Sequence, residues 1–311
     1  MKTSMSEKQL YECTVLMSSH NGHDYLRQQL DSILNQEGVR INILIRDDGS
    51  TDDTNTILKD YMNLYEDQIH VLFGENIGIH ESYAKLMSIP IHGDYVAFAD
   101  QDDVWDKNKI VIAINQLRVN NADFYSCASR LVDSHLNDLG HTTSNPALYH
   151  HYMQGHSIIL TPGAQGCTMV LRRALFEMIV SKGIPDYYGH DTWLPIVAYY
   201  LRSAVYDEKA HMSYRQHDQS WTGNRGNRIR HLFREYRSFM KGMARYSVLA
   251  KDFLARYSEE LSSDEKSLLG MLSKTPKSMR DRILLIKDSS FRKYGFLNNA
   301  IFKFEILIGN V

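Results

Sequence analysis

The chain lacks the features that define several common protein classes. Its 311 residues include only three cysteines, Cys13, Cys127 and Cys167, with no Cys-x-x-Cys pair. This argues against a disulfide framework and predicts reduced, buried thiols in a cytoplasmic protein. No run of about 18 apolar residues occurs, so we expect no membrane-spanning helix. The N-terminus has no apolar segment of the kind found in signal peptides.

Two nucleotide-binding motifs and a strong net charge are also missing. No Gly-x-Gly-x-x-Gly run follows the first predicted strand, which argues against NAD binding, and no Gly-x-x-x-x-Gly-Lys-Ser/Thr run indicates a P-loop. The formal net charge is only −2, so bulk charge predicts no nucleic-acid partner. The charge is unevenly distributed, because the segment from Asn224 onward holds about 18 basic and 9 acidic residues, a net charge of about +9.

Short apolar runs alternate with amphipathic stretches as far as residue 128. This alternation predicts an α/β fold, Rossmann-like, with a mostly parallel sheet and helices on both faces. Polar residues dominate 133–161, which we expect to be a long surface segment that shapes binding specificity. The predicted strands are 13–17, 41–45, 70–73, 95–99 and 124–128, and the predicted helices are 25–35, 51–64, 81–87 and 107–119.

Three carboxylates follow one of the apolar runs. Asp100, Asp102 and Asp103 come directly after residues 95–99. Ligands of open α/β sheets bind at the C-terminal ends of the strands. Crowded carboxylates repel each other, and a hard divalent cation would relieve this repulsion and hold a diphosphate. The pattern therefore favours a metal site, with an acidic turn after a strand as the alternative.

The ends of the first two predicted strands are polar as well. Residues 18–22 follow the first strand and residues 47–53 follow the second, so both loops would meet the acids at one edge of the sheet. Small hydroxyl and glycine residues leave backbone N–H groups open to a ligand. A carboxylate there can accept hydrogen bonds from a base or a ribose. A turn followed by a helix cap is the alternative for residues 47–50.

These segments together resemble a known enzyme family. The pattern consists of Ser18-Ser19-His20-Asn21-Gly22, Asp47-Asp48-Gly49-Ser50-Thr51-Asp52, Asn76-Ile77-Gly78 and Asp100-Gln101-Asp102-Asp103. It is similar to that of the GT-A-fold, family 2 inverting glycosyltransferases over roughly residues 13–223. Asp102-Asp103-Val104-Trp105 and Tyr214-Arg215-Gln216-His217 resemble the bacterial rhamnosyltransferase-like members that build surface polysaccharides.

The resemblance implies a domain organisation and roles for individual residues. A GT-A catalytic domain would span 1–223, with a nucleotide-sugar half at about 10–128 and an acceptor half at about 129–223, followed by a basic helical region at 224–311. Asp48 would contact the base, Asp100 the ribose, and Asp102 a Mn²⁺ or Mg²⁺ ion on the donor diphosphate. The other residues expected in the nucleotide-sugar pocket are Ser18, Asn21, Asn76 and Gly78.

Asp191 is the candidate general base that an inverting transfer needs on the acceptor side of the sugar. Relatives carry an acidic pair, or an acid before an aromatic-rich helix, at this place. Here His190 precedes Asp191, and whether His190 tunes the base stays open. An N-cap of the following helix is the alternative for Asp191, and the two roles are compatible.

His217 is the candidate third metal ligand, because some relatives place a histidine after the last core strand. Imidazole suits Mn²⁺ better than Mg²⁺. A diphosphate contact and an ordinary surface position are alternatives, since the chain contains 14 histidines. Trp105 and Trp193 are candidates for stacking on a sugar or for anchoring the core.

The basic tail interleaves cationic and apolar residues over 227–257. Such a helix can lie on an anionic membrane, so residues 225–311 are a candidate for peripheral membrane contact. Packing on the catalytic domain, or on a second subunit in a homodimer, is the alternative. We expect no nucleic-acid partner, because the acidic remainder of the chain would repel phosphate.

The leading hypothesis is a metal-dependent inverting glycosyltransferase, in the cytoplasm or on the inner face of the cell membrane. It would move a sugar, with L-rhamnose from dTDP-rhamnose as the best expectation, to a hydroxyl of a growing, lipid-linked surface polysaccharide. A UDP-hexose is the nearest substitute donor. A nucleotidyltransferase also uses paired acids, but residues 18–22 contain no Lys or Arg for a triphosphate. A non-catalytic carbohydrate-binding protein is disfavoured by Asp48, Asp102 and Asp191.

Overall fold

The chain forms two compact units in a computed structural model. The first comprises Met1–Ser144, Gln165–His190 and Val205–Arg215, and the second comprises Asn145–Ala164, Asp191–Ala204 and Gln216–Val311. The residues that the structure describes are 10–153, 157–160, 164–185, 188–201, 203–217 and 245–311.

A nine-stranded sheet forms the centre of the first unit, with the strand order β3-β2-β1-β4-β8-β6-β9-β5 and with β7 paired to β6. The first four strands in this order run parallel. The strands are β1 (Tyr11–Ser19), β2 (Val39–Asp48), β3 (Ile69–Gly74), β4 (Tyr95–Ala99), β5 (Val104–Trp105), β6 (Phe124–Val132), β7 (Asp138–Thr142), β8 (Val170–Arg172) and β9 (Ala204–Arg215).

Helices connect the parallel strands, and their apolar spacing explains why they form. In α1, Leu26, Leu30 and Ile33 recur at helical intervals and are buried. All five residues of β4 are buried, as in a strand that is covered on both faces. The helices of this unit are α1 (Leu26–Leu34), α2 (Thr54–Leu64), α3 (Ile79–Met87), α4 (Lys109–Val119) and α6 (Arg173–Lys182).

The α/β class predicted from the sequence is confirmed, and each predicted strand and helix up to residue 128 corresponds to an observed element. The parallel character belongs to the first four strands. Beyond β4, the pairs β4–β8, β8–β6, β6–β7 and β9–β5 are antiparallel. The reason is that β8 lies between β4 and β6 and runs opposite to both, although β6 itself runs in the same direction as β4.

The polar segment 133–161 was predicted to be a surface excursion, and this is only partly correct. Strand β7 is fully exposed, but the 3₁₀ helix Ser157–Leu160 is buried in the second unit. All four of its residues are buried, and Ile158, Ile159 and Leu160 form a short apolar run. The polar residues on both sides of this run in the sequence favoured the surface prediction.

The second unit is helical. Trp193 is fully buried and packs against Phe253 and Tyr257 at ring-centroid distances of 5.7 and 6.2 Å. The helix α9 (Ser263–Lys274) begins with a capping box between Ser262 and Glu265. The basic stretch 227–244 lies outside the described residues. The helices are α5 (Pro146–Met153), α7 (His190–Tyr200, whose first residue belongs to the first unit), α8 (Arg245–Tyr257), α9 (Ser263–Lys274), α10 (Met279–Lys287) and α11 (Phe296–Ile308).

Candidate functional site

The C-terminal ends of β1, β2 and β4 meet at one edge of the sheet. Ser19 of β1 pairs with Asp47 of β2, and Met17 pairs with Ala99 of β4. Parallel strands in this register bring the loops that follow them to the same side. The loops at 18–22, 47–53 and 100–103 are therefore neighbours, as the sequence predicted.

Hydrogen bonds join these loops to each other. The Asn21 amide donates to Ser50 Oγ at 2.9 Å, and Asn21 Oδ1 accepts from the Thr51 amide at 2.8 Å. Gln101 binds both backbone groups of His20, accepting from its amide at 2.8 Å and donating to its carbonyl at 3.0 Å. These hydrogen bonds connect the three loops. The exposed Asn21 joins the loop after β1 to the loop after β2.

Asp48 is almost fully buried and holds the turn that follows β3. Its carboxylate accepts hydrogen bonds from the Ile77 and Gly78 amides at 2.8 Å each and from the Arg46 guanidinium. Burial opposes ionisation, but these hydrogen bonds and the Arg46 charge keep the pKa of Asp48 below its usual value. A carboxylate has about four acceptor positions, so these three bonds leave about one of them unused.

Gly49 allows the loop that follows β2 to approach the turn that follows β3. Its φ is +75°, and a Cβ at this position would lie 2.7 Å from the Asn76 amide nitrogen. Glycine is therefore required both for the left-handed conformation and for the close contact. Asn76 itself is exposed, and its side chain lies 3.3 Å from Nε2 of His20. Ser18, the remaining candidate here, shares a 2.6 Å hydrogen bond with Ser82 of α3.

The acids after β4 form a partly buried cluster. One ligand atom from each of Asp100, Asp103 and Cys167 lies within 4.8 Å of the other two. Asp103 is fully buried, and burial together with the charges of Asp100 and Asp102 raises its pKa well above the usual range. Within the described part of the chain, Asp103 Oδ2 has no hydrogen-bond partner.

This cluster fits a divalent cation through its oxygens. The partnerless oxygen of Asp103 and the carboxylate of Asp100 are hard donors, which Mn²⁺ and Mg²⁺ prefer. Burial raises the pKa of the Cys167 thiol well above its usual value, and sulfur is a softer donor than these cations prefer, so Cys167 is the least suited of the three groups. Bound there, a cation would stabilise the negative charge of the cluster and of a donor diphosphate.

Asp102 and His217, the metal ligands predicted from the sequence, are not members of the convergent group found among the described residues. Asp102 is half-buried in the first unit, on the turn between Asp100 and Asp103. His217 follows β9, is half-buried and belongs to the second unit. Their metal roles stay predictions.

Arg215, the last residue of β9, binds the turn that carries Asp102 and Asp103. Its backbone amide donates to Asp103 Oδ1 at 3.2 Å, and its Nε donates to the Asp102 carbonyl at 2.7 Å. Its Nη1 and Nη2 donate to the Ser134 carbonyl at 2.5 Å and to Gln28 Oε1 at 2.7 Å. The side chain is 2% exposed. Arg215 therefore places a buried positive charge beside Asp102 and Asp103, and the sequence singled it out only as part of a family motif.

Lys109 is a second buried cation beside the cluster. Its Nζ lies 3.3 Å from the centroid of the Trp105 ring and donates to the Cys167 carbonyl at 3.0 Å. Burial lowers the pKa of Lys109 to about 8, although the surrounding cysteines and Asp103 oppose this shift. Trp105 is 3% exposed, so it anchors the core, as does Trp193.

His190 packs its ring against aromatic neighbours in the first unit. The centroid of the imidazole lies 3.9 Å from that of Tyr83 and 4.8 Å from that of Phe98. A Cβ on Gly166 would lie 2.7 Å from His190 Nε2, so glycine makes room for the ring. Asp191 follows in the first turn of α7, one position inside the helix rather than at its N-cap. A carboxylate in a first turn is stabilised by the helix dipole.

The sequence profile of glycosyl transferase family 2 matches residues 14–180. This match covers more than half of the chain, and the protein therefore belongs to glycosyl transferase family 2. It is an enzyme that transfers glycosyl groups.

Individual relatives agree with this assignment. The dTDP-rhamnosyl transferase RfbG of Shigella flexneri is 30% identical over 219 residues, which cover 67% of this chain and 73% of RfbG. The putative teichuronic acid biosynthesis glycosyltransferase TuaG of Bacillus subtilis is 37% identical over 98 residues, 31% of this chain and 38% of TuaG.

Solved structures show that the fold is shared. S. aureus TarS 1–349 superposes with a TM-score of 0.58 at 15% identity, covering 96% of this chain and 81% of that one. The mannosyltransferase PcManGT from Pyrobaculum calidifontis, in complex with GDP-Man and Mn²⁺, gives a TM-score of 0.52 at 15% identity, with coverages of 97% and 86%. The predicted GT-A-type fold is therefore confirmed.

Proposed function

We propose that this family 2 enzyme transfers a sugar, with inversion, from a nucleoside-diphosphate donor to a hydroxyl group of a growing, lipid-linked surface polysaccharide. L-rhamnose from dTDP-rhamnose is the proposed donor sugar, and a UDP-hexose is the alternative. The similarity to RfbG over 67% of the chain supports rhamnose, and the similarity to TuaG supports a role in surface polysaccharide synthesis.

The observation that carries the proposal is the convergence of three acidic and polar loops at one edge of the parallel strands. Asp48 fixes the turn at Ile77 and Gly78, and its remaining acceptor position would receive the imide N–H of a thymine or uracil base. The other residues proposed to line the donor pocket are Ser18, Asn21, Asn76, Gly78 and Asp100.

The diphosphate would lie over the acid cluster, where a divalent cation held by Asp102 and the neighbouring acids would offset the charge of the leaving group. His217 is proposed as a further ligand of that cation. The fixed cation Arg215 keeps the turn at Asp102 and Asp103 in place, because the guanidinium binds the Asp102 carbonyl. A turn held in this way before the donor binds would need little reorganisation when the leaving group departs.

Asp191 is the proposed general base, which removes the proton from the acceptor hydroxyl as that oxygen attacks the anomeric carbon. The expected outcome for Asp191→Asn is normal binding of Mn²⁺ and nucleotide with transfer reduced by roughly a hundredfold or more. Asp264→Asn is the matched control, since Asp264 also lies in the first turn of a helix. It should leave transfer unchanged.

The decisive assay incubates the enzyme with labelled dTDP-rhamnose or a labelled UDP-hexose, a lipid-linked saccharide and either Mn²⁺ or a chelator. Rhamnose transfer that the chelator abolishes is the expected result. Transfer only from a UDP-hexose would select the alternative donor. Transfer by Asp191→Asn at the normal rate would assign the base to another residue.

A further inference from the structure

The last two helices expose an unusual amount of apolar side chain. In α11, Phe296 is 92% and Leu297 is 69% exposed. Leu297, Ile301, Phe304 and Ile308 recur at intervals of three or four residues, so they share one side of the helix. The opposite side carries Phe302 and Ile306, both fully buried. Helix α11 is therefore apolar on two sides. One side is buried within the second unit, and the other side is exposed.

Helix α10, which contacts α11, also exposes apolar side chains. Met279 is 56%, Ile283 44% and Leu284 42% exposed. The guanidinium of Arg282 donates to the Leu307 carbonyl at 3.2 Å, which joins the middle of α10 to the end of α11. We define the α10–α11 face by its exposed apolar residues, which are Met279, Ile283, Leu284, Phe296, Leu297, Ile301, Phe304, Leu307 and Ile308.

The charges around this face have one sign. Arg280, Lys287 and Arg292 are the exposed charged residues between 279 and 311, and all three are basic. The acids are less exposed than these basic residues, and Asp288 accepts hydrogen bonds from the amide and the hydroxyl of Ser290. Burial raises the pKa of Glu305, although Lys293 opposes the shift. The acids of this segment, all half-buried, are Asp281, Asp288 and Glu305.

We propose that the α10–α11 face binds the surface of an anionic lipid bilayer, with both helices lying in the plane of the interface. Apolar side chains flanked by exposed Lys and Arg suit the boundary between acyl chains and anionic headgroups. A second copy of the chain fits less well, because two such faces would bring basic residues together. Among the described residues no helix could cross a bilayer, and α11, with 13 residues, measures only about 20 Å.

The proposal deepens the proposed function, on which it rests for the lipid-linked acceptor. An enzyme bound through this face would work at the surface where that acceptor lies. The test requires no nucleotide sugar, so its failure and the failure of the proposed function are separate results.

The test is co-sedimentation of the full chain with vesicles of phosphatidylcholine, with and without phosphatidylglycerol. We expect binding to the anionic vesicles that weakens as salt is added. The variant Leu297→Ser, Ile301→Ser, Phe304→Ser should bind roughly a hundredfold more weakly, because three apolar side chains no longer enter the interface. The variant Arg280→Gln, Lys287→Gln, Arg292→Gln should bind anionic vesicles about tenfold or more weakly.

Leu64→Ser with Val119→Ser is the matched control. These residues are 73% and 85% exposed but belong to the first unit, so the substitutions should leave vesicle binding unchanged. Circular dichroism verifies that each variant is folded. The proposal is overturned if the intact protein binds no vesicles, if the serine variant binds as well as the intact protein, or if light scattering shows a dimer that only the serine variant loses.

Discussion

The substitution Arg215→Met should weaken both the fold and the binding of a metal. Three hydrogen bonds of a charged donor disappear, from Nε to Asp102 and from the two Nη atoms to Ser134 and Gln28. Such bonds contribute about 1.5–3 kcal/mol each, part of which the cost of burying the guanidinium offsets. We therefore expect the free energy of unfolding to fall by about 3–5 kcal/mol.

The metal effect has a different origin. Asp102 and Asp103 keep their own carboxylates in this variant but lose the cation that fixes their turn. Removing a partner that orients metal ligands typically costs about 10–100-fold in affinity. Titration calorimetry with Mn²⁺, in the presence of dTDP and at a temperature where the variant is folded, measures this loss. Arg215→Lys should recover only part of the affinity, because one ammonium group cannot reach three acceptors in a fixed plane.

Arg172→Met separates this effect from general destabilisation. Arg172 lies in β8 of the same unit, donates to the Ala122 carbonyl at 2.9 Å and the Leu117 carbonyl at 3.4 Å, and forms an ion pair with Asp123 at 3.4 Å. It pairs with Tyr95 at the start of β4, whereas the acid cluster follows the end of that strand. Its loss should lower stability and leave Mn²⁺ affinity unchanged. The reasoning is refuted if Arg215→Met binds Mn²⁺ normally, or if both variants lose the same affinity.

Two further predictions concern groups beside the acids. Because burial lowers the pKa of Lys109 to about 8, the folded state binds fewer protons than the unfolded state between pH 8 and the ordinary lysine pKa. The unfolding free energy should therefore rise by about 3 kcal/mol over this interval relative to Lys109→Met, as measured by urea denaturation at each pH, and parallel curves would contradict this. Gly166→Ala should cost about 1–3 kcal/mol, since its Cβ would displace the His190 ring, whereas Gly270→Ala, which meets nothing within 4 Å, should be neutral or stabilising in thermal melts. Equal melting temperatures for the two glycine variants would contradict the second prediction.

The first half of the fold follows from local patterns. Apolar runs such as Tyr95–Ala99 and amphipathic helices such as Leu26–Leu34 carry their own periodicity, and their alternation determines a parallel arrangement. Strands β5 and β8 have two and three residues, too few for any period to be visible. Their positions depend on pairing with distant strands, which the sequence alone does not display.

The loops of the candidate site were predictable in part for the same reason. That Ser18, Asp48 and Asp100 meet at one edge follows from the end points of three parallel strands. The partnership of Arg46 with Asp48 could also have been anticipated, because residues two apart in a strand point to the same face. The bond between Arg215 and Asp103 could not, since 112 positions separate them in the chain.

Arg215 and Lys109, which the sequence did not predict as neighbours of the acid cluster, are both cations. The electrostatics of the cluster explain why. Asp103 is buried with one oxygen unpaired and lies near the charges of Asp100 and Asp102, a combination that raises its pKa and destabilises the ionised form. Arg215 and Lys109 supply fixed positive charge behind the cluster, and both are themselves buried at a cost that lowers their pKa values. A divalent cation bound to Asp100 and Asp103 would favour their ionised forms further, and for this reason we expect a chelator to weaken the binding of a diphosphate.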